Sequence, residues 1–406
     1  MKLSGDFHLT YCSNIHPGES WEEVRSNLGT YLPTIRKRLT PDAPFGVGLR
    51  LSAVAAETLE APAQLHEFQE FLAAENCYVF TINGFPYGVF HRARVKEEVY
   101  LPDWKDEERL RYSNRLAAIL AQLLPDQSGM EGSVSTVPGA FKGEVKSEED
   151  VTRMAELMLR HVAELHRLWE RTGKTITLAL EPEPCCFIET VDEAVAFFRD
   201  YLFSKPQLAQ LARTLGISHA EAEALARRHI GICYDACHMA VEFEDMAASL
   251  AALKAAGIKI CKFQISSALK LKFQRGDGRA EALLRPFVES TYLHQVVEKS
   301  QHGLVRFIDL PEGLEKEQEA AQDHAGELVE WRVHFHVPIF LEEMRSFQTT
   351  QEHLIDLIEQ FKQTQSCPYL EVETYTWDVL PPEYRELDLA SAITRELSWL
   401  RDRIEL

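Results

Sequence analysis

Seven residues of types that bind divalent metals stand at or near the ends of apolar runs: Glu181, Asp235, His238, Gln264, His334, His336 and Glu373. Glu181 closes the run TITLAL, and Pro182 after it cannot donate to a ladder and so stops the strand. Its carboxylate either points into a site at the strand end or serves as a helix cap or ion-pair partner; taken alone, the residue fits both. In CYDACH, Asp235 closes another apolar run and His238 follows three residues later. That spacing lets a carboxylate oxygen and an imidazole nitrogen approach one centre suited to Zn, Mn, Fe or Co. A core histidine bonded to a backbone carbonyl is the ordinary alternative for His238. Cys233 and Cys237 have three residues between them, not two, which argues against haem attachment. Gln264, in KFQIS, offers a neutral amide oxygen that would ligate weakly or hydrogen-bond a substrate. His334 and His336 form an H-x-H pair in VHFHVP; in an extended segment residues two apart face the same side, so both rings can reach one ion or one substrate. Glu371 and Glu373 share a face of YLEVETYTW by the same rule. Buried carboxylates need cations, so Glu373 is expected at the site and Glu371 beside a cation deeper in the fold.

Gathering these residues on one rim calls for strands whose C-terminal ends meet. Eight β-rich runs, at 6–12, 45–52, 77–84, 132–139, 175–184, 229–238, 258–266 and 368–377, alternate with helical periodicity. The helical patterns fall at 21–38, 62–74, 107–124, 148–171, 194–228 in two pieces, and 246–256. Such alternation predicts parallel pairing through right-handed crossovers. Polar residues at so many strand ends favour a closed (β/α)8 TIM barrel over an open sheet, because barrel sites are assembled from βα loops. The chain, 1–406, reads as one such domain with an insertion at 267–367, between the seventh and eighth strands. The insertion holds a ninth β-like run at 331–340, a basic stretch with Lys270, Lys272, Arg275 and Arg279, and an acidic stretch at 312–331, which together suit a compact subdomain or lid. A second long loop, 84–104, is rich in aromatics and suits a pocket wall as well as packing on the barrel surface. His8, Asn83 and His91 are candidate substrate-binding residues, with Tyr11, His16 and Arg50 weaker candidates of the same kind.

The formal net charge of -20 repels a polyphosphate backbone, so nucleic acid is not expected as a partner and a small molecule is. The first residues, MKLSGDFHLTYC, lack a basic start followed by an apolar run, and no stretch approaches 18 apolar residues. Neither a signal peptide nor membrane insertion is expected, and the expected location is the cytoplasm. The 8 cysteines, with Cys185 and Cys186 adjacent, read as reduced thiols and not as a disulfide framework.

Glu at the end of strand five, Asp-x-x-His after strand six, a polar residue ending strand seven and Glu ending strand eight together resemble the xylose-isomerase-like barrel superfamily. That superfamily holds sugar isomerases and epimerases, inosose dehydratases and the endonuclease IV repair enzymes. The resemblance implies a metal shell of Glu181, Asp235, Gln264 and Glu373, a substrate or second-ion role for His238, and proton transfer by Glu181 and Glu373. Gln264 departs from the histidine usual at that place, which allows an altered metal. His334 and His336 fall where the endonuclease IV branch has Asp-x-His, which implies room for more than one ion. Through YCSNIHPGESW, TINGFPYG, CYDACHMAVEFED and LEVETYTWDVLP the chain also resembles the EboE family of metabolite-traffic proteins, tied to export of secondary metabolites. The activity so implied is isomerisation or epimerisation of a sugar-like or cyclitol-like polyol, with a divalent metal (Mn, Zn, Fe or Co) polarising a carbonyl. Two alternatives stand beside it. One is metal-dependent phosphoester hydrolysis, with Lys270, Lys272, Arg275 and Arg279 on the phosphate. The other is a carrier that holds a metabolite in the barrel without turning it over.

Overall fold

Continuous apolar runs become parallel strands when both faces are covered. Seven do so in succession: β1 (His8–Tyr11), β2 (Phe45–Arg50), β3 (Cys77–Asn83), β4 (Glu131–Thr136), β5 (Thr175–Leu180), β6 (Ile230–Asp235) and β7 (Lys259–Ile265). Six more strands follow, β8 (Leu269–Gln274), β9 (Val296–Ser300), β10 (Gly303–Phe307), β11 (Leu328–Val333), β12 (Glu343–Met344) and β13 (Phe347–Thr349), before β14 (Tyr369–Val372) returns to the first set. The structure is a computed structural model that describes residues 1–85, 96–126, 129–344, 346–380 and 387–405.

The strands β1 to β7 and β14 form one parallel sheet in the order β1-β14-β7-β6-β5-β4-β3-β2. A parallel bridge from Cys12 to Gly48 joins β1 to β2 and closes it into the eight-stranded barrel. Helices cover its outside, and their starts are written in the sequence. Ser20 with Glu23, Ser147 with Asp150, Thr190 with Glu193 and Ser218 with Glu221 all form reciprocal capping boxes. The segment expected as two helical pieces over 194–228 is three, because Ser204 and Pro206 restart the chain and Gly216, at φ 68, ends the second piece. Among the described residues no helix is long and apolar enough to cross a membrane. All eight cysteines are free thiols.

Inside the barrel lies a polar core. The cation that Glu371 requires is Lys262 on β7, whose ammonium is bonded to Glu371 Oε2 with both side chains fully buried. Room for Glu371 comes from Gly48, where a Cβ would stand 1.8 Å from Glu371 Oε1.

The strands β8 to β13 form a separate antiparallel sheet, in the order β10-β9-β11-β8-β13-β12. After it, helix Gln351–Thr364 packs among helices Ala236–Val241, Met246–Ala255 and Leu389–Glu405 of the barrel's outer layer. The run expected as strand over 331–340 ends at Val333, and His334 to Pro338 lie beyond the strand. The side chains of the basic stretch are already bonded, and none of them is among the residues lining the cavity at the barrel mouth. Lys270 is paired with Glu352, Lys272 with Glu330, Arg279 donates to the Lys272 carbonyl, and Arg275 is buried among Glu298, Glu317 and Glu327.

Candidate metal centre

Parallel strands present their C-terminal ends on one side, and the ligand-capable residues collect there. Glu181 follows β5 directly, its amide donating to the Thr136 carbonyl at 3.1 Å. Asp235 is the last residue of β6 and also caps helix Ala236–Val241, accepting from the His238 amide at 3.0 Å. Glu373 follows β14, and His334 and His336 enter from the segment after β11. All six side chains, His238 included, are buried. One oxygen each from Glu181, Asp235 and Glu373 lie within 4.8 Å of one another. The same limit holds for donor atoms of Asp235, His238 and His336, of Glu183, His238 and His334, and of Cys237, His334 and His336.

The hydrogen bonds fix the tautomers. His238 Nδ1 faces the Pro182 carbonyl at 2.9 Å and His336 Nδ1 faces the Glu373 carbonyl at 3.0 Å, so both nitrogens must donate. Gln295 donates its amide to the Pro184 carbonyl at 3.1 Å and to Tyr100 Oη at 3.0 Å, which leaves its oxygen to accept from His334 Nδ1 at 2.6 Å. The three Nε2 atoms are therefore turned inward, with His334 Nε2 at 3.1 Å from the Nε2 of both His238 and His336. Converging lone pairs repel unless a proton or a cation lies between them. Imidazoles whose Nδ1–H is held by an oxygen are the usual arrangement of metal-ligating histidines. The carboxylates show the same incompleteness: Glu181 Oε2 and Asp235 Oδ2 are buried with no hydrogen-bond partner, and so is Gln264 Oε1.

Burial and neighbouring charge set the protonation. Burial alone would lower the pKa of His238, but Asp235, Glu183, Glu181 and Glu373 outweigh it and raise it to about 9. Burial and the nearby Glu373 carboxylate push Glu181 well above the ordinary carboxylate range. Burial would do the same to Asp235, yet His238, His336 and the bonds from Ser266 and the His238 amide hold it below that range. Burial and the neighbouring rings keep His334 and His336 neutral.

Other expected residues are placed differently. Asn83 is buried in the barrel interior, donating to Glu371 Oε2 at 3.0 Å and accepting from Lys262 at 2.9 Å, Ser135 at 2.7 Å and Gln264 Nε2 at 3.3 Å. It holds the floor beneath the site and is not among the residues lining the cavity. His8 is at the wrong end: it is the first residue of β1, bonded to Tyr78 Oη at 2.8 Å, where the parallel strands begin. His91 lies outside the described residues. No expectation fell on Glu183, Asn14, Tyr100, Gln295 or Tyr375, which the fold brings in. Asn14 donates to Glu373 Oε1 at 2.7 Å, Tyr100 to Glu183 Oε1 at 2.6 Å, and Tyr375 Oη lies 3.4 Å from His334 Nε2. Of these only Glu183 was readable, as a second carboxylate two residues after Glu181 in EPEP. The centre opens into a cavity of about 550 Å³, mouth included, bounded by the loop after β3, the inserted sheet and the turn after β14.

Fold and site together define a (β/α)8 barrel with a carboxylate and histidine centre at its C-terminal mouth. Among solved structures the chain is similar to a probable 3-DHS dehydratase, AsbF, from Bacillus anthracis, at 11% identity and a TM-score of 0.43 over 98% of each chain. It is similar also to the IOLI protein with a binding zinc atom, at 14% identity and a TM-score of 0.44 over 98% of each chain. A D-tagatose 3-epimerase-like protein matches at 10% identity and a TM-score of 0.48, over 98% of this chain and 97% of that one. The likeness is one of fold alone. No family model and no curated protein sequence matches this chain.

Proposed function

We propose that this chain is a divalent-metal enzyme that isomerises or epimerises a small sugar-like or cyclitol-like polyol. The observation that carries the reading is the set of buried acceptors left unbonded, Glu181 Oε2, Asp235 Oδ2 and Gln264 Oε1, next to three inward-facing imidazole nitrogens. Groups so buried cost several kcal/mol each without a cation to satisfy them. Glu181, Asp235 and Glu373 would hold the ion with Gln264, and His238, His334 and His336 would hold a substrate oxygen or a second ion. The bound Mn, Zn, Fe or Co supplies a Lewis acid that polarises a substrate carbonyl. Glu181, whose pKa burial raises, and Glu373, oriented by Asn14, would form the acid and base pair. One takes a proton from the carbon beside the carbonyl and the other returns it.

The test joins metal content to exchange. Protein loaded with Mn or Zn is expected to hold at least one ion per chain by ICP-MS, and less in Glu181→Gln and Glu373→Gln. In D2O, one member of a panel of aldoses, ketoses and inososes is expected to gain deuterium beside its carbonyl. No retained ion at any loading, with no exchange in the panel, rejects the reading. Metal-assisted phosphoester hydrolysis is favoured by one observation, that two donor sets sharing no residue, Glu181, Asp235, Glu373 and Glu183, His238, His334, are present, as for two ions. Phosphate release without deuterium exchange would select it, and tight metabolite binding without turnover would select a carrier of the EboE kind.

Two further outcomes follow from the bonding. Gln295→Leu removes the acceptor of His334 Nδ1, and Mn or Zn affinity in a competition titration is expected to fall about 10- to 100-fold, the usual effect of losing such a partner. An ion that takes His238 as a ligand must also displace the proton that His238 holds to about pH 9. Apparent affinity is therefore expected to climb by about tenfold per pH unit below that point and to level off above it. A flat profile from pH 6 to 10 would show that His238 is not displaced.

A further inference from the structure

Helix Leu389–Glu405 turns an apolar stripe inward, Ile393, Leu397, Leu400 and Ile404 among it, and Glu396 stands on that same stripe. It is 2% exposed, at a place where leucine would pack without penalty and a carboxylate has to find donors. It finds two. Glu396 Oε1 accepts from Thr374 Oγ1 at 2.7 Å and from the Ile339 amide at 3.1 Å. Both donors are neutral, and burial lifts the pKa of Glu396 to about 7.

The two donors stand in the segments that carry two of the proposed ligands. Thr374 follows Glu373 directly, and Ile339 comes three residues after His336. Neither ligand is held inside a strand, since β14 ends at Val372 and β11 at Val333. The segments are joined at the mouth, where His336 Nδ1 donates to the Glu373 carbonyl at 3.0 Å and Thr376 Oγ1 to the His336 carbonyl at 2.8 Å. Behind that junction the outer helices take hold. Gln351 Nε2 donates to the Ile339 carbonyl at 2.7 Å, and the Arg395 guanidinium lies over the Phe340 ring at 3.9 Å. The buried Ile339 amide needs an acceptor, and the one it has also receives Thr374, so a single carboxylate oxygen ties both segments to one helix.

We infer that Glu396 is a positioning residue: from the outer helix layer it fastens the turn after β14 to the segment after β11 and so sets Glu373 and His336 against each other at the barrel mouth. The inference rests on the proposed function for what those two side chains do and adds what holds them.

The test compares the full chain with Glu396→Gln, which keeps an acceptor oxygen, with Glu396→Leu, which removes it, and with Leu400→Ala, which weakens the same helix by a cavity. Hydrogen exchange over 334–341 and 372–377 is measured by mass spectrometry on metal-free protein, and Mn or Zn affinity by competition titration. Glu396→Leu is expected to speed exchange in both segments together and to weaken affinity about tenfold, the low end of what outer partners of metal ligands cost. Glu396→Gln should return both readouts close to the parent. Leu400→Ala should lower the urea midpoint and move neither. If Glu396→Leu does not fold, Thr374→Val, which removes one of the two donors, should loosen 372–377 and weaken affinity. Unchanged exchange or affinity in the leucine variant, or in Thr374→Val where that stands in for it, overturns the inference. So does a glutamine variant as impaired as leucine, or a Leu400→Ala variant that loses affinity equally. A parent that binds metal with no change in Glu396→Leu keeps the proposed centre and removes the clamp. Loosening of both segments in a chain that retains no metal supports the clamp and removes the metalloenzyme.

Discussion

Asp235→Asn is expected to lower Mn or Zn affinity at least about 100-fold, since loss of a partner one shell further out already costs about 10- to 100-fold. Turnover should disappear with the ion while the protein stays folded. The Asp235 carboxylate is fixed: Oδ1 accepts from Ser266 Oγ at 2.7 Å and from the His238 amide at 3.0 Å, which aims Oδ2 into the centre, 3.9 Å from His238 Nε2. Asparagine keeps the Oδ1 role, so the cap of helix Ala236–Val241 survives. It places an NH2 where an anionic oxygen had no partner, presenting hydrogens to a cation. Because His238, His336 and the fixed donors hold Asp235 below the ordinary carboxylate range, the charge lost is a full one at neutral pH. The metal-free variant should lose some stability at neutral pH, because a carboxylate whose folded-state pKa is lowered contributes stability there, and that contribution should fade as the pH falls through the folded-state pKa. Lost affinity in a variant that still folds marks Asp235 as a ligand; unchanged affinity would remove Asp235 from the centre.

What could be read in the sequence was whatever is local. Apolar runs closed by Glu181 and Asp235 announced both the strands and their ends, because a parallel strand covered on both faces has to be continuous and a carboxylate has to stop it. Short helix Ala236–Val241 was hidden by the same continuity: every residue of it is buried, so no polar period separates it from β6. His8 was misplaced although it stands near the start of its run, because only the C-terminal ends of parallel barrel strands face the mouth. Gln295, Tyr100 and Asn14 were illegible for a different reason. Their partners lie 39, 83 and 359 residues away, and only the closed barrel and the inserted sheet bring them together. The H-x-H pair was legible as a same-side pair although its residues lie beyond the strand, since all that mattered was that both rings could turn one way.

Lys262→Met tests whether the barrel's polar floor is held by charge, and is expected to cost about 3–5 kcal/mol in urea unfolding at pH 8, the usual penalty for leaving one member of a buried pair behind. Lys262 is fully buried, and its ammonium reaches Glu371 Oε2 as well as Asn83 Oδ1 at 2.9 Å. Burial already raises the pKa of Glu371, and Lys262 opposes that rise. With the ammonium gone, the folded-state pKa moves further up, while the unfolded value stays near about 4.3. A group whose folded pKa is raised contributes its stability below the unfolded pKa and loses it as pH climbs through the folded one. The deficit of Lys262→Met should therefore be largest at pH 8 and shrink as the solution is acidified and Glu371 takes up a proton. Adding Glu371→Gln removes the stranded charge and keeps an acceptor for Asn83, so the double variant should recover most of the loss at pH 8. Equal deficits at pH 5 and pH 8, or no recovery in the double variant, would mean that methionine fails by shape. Asn83 also accepts from Gln264, whose oxygen belongs to the proposed ligand set, so the single variant should also weaken metal binding and the double variant should restore part of it. Restoration of stability without any return of affinity would show that the floor supports the barrel and does not position the ion.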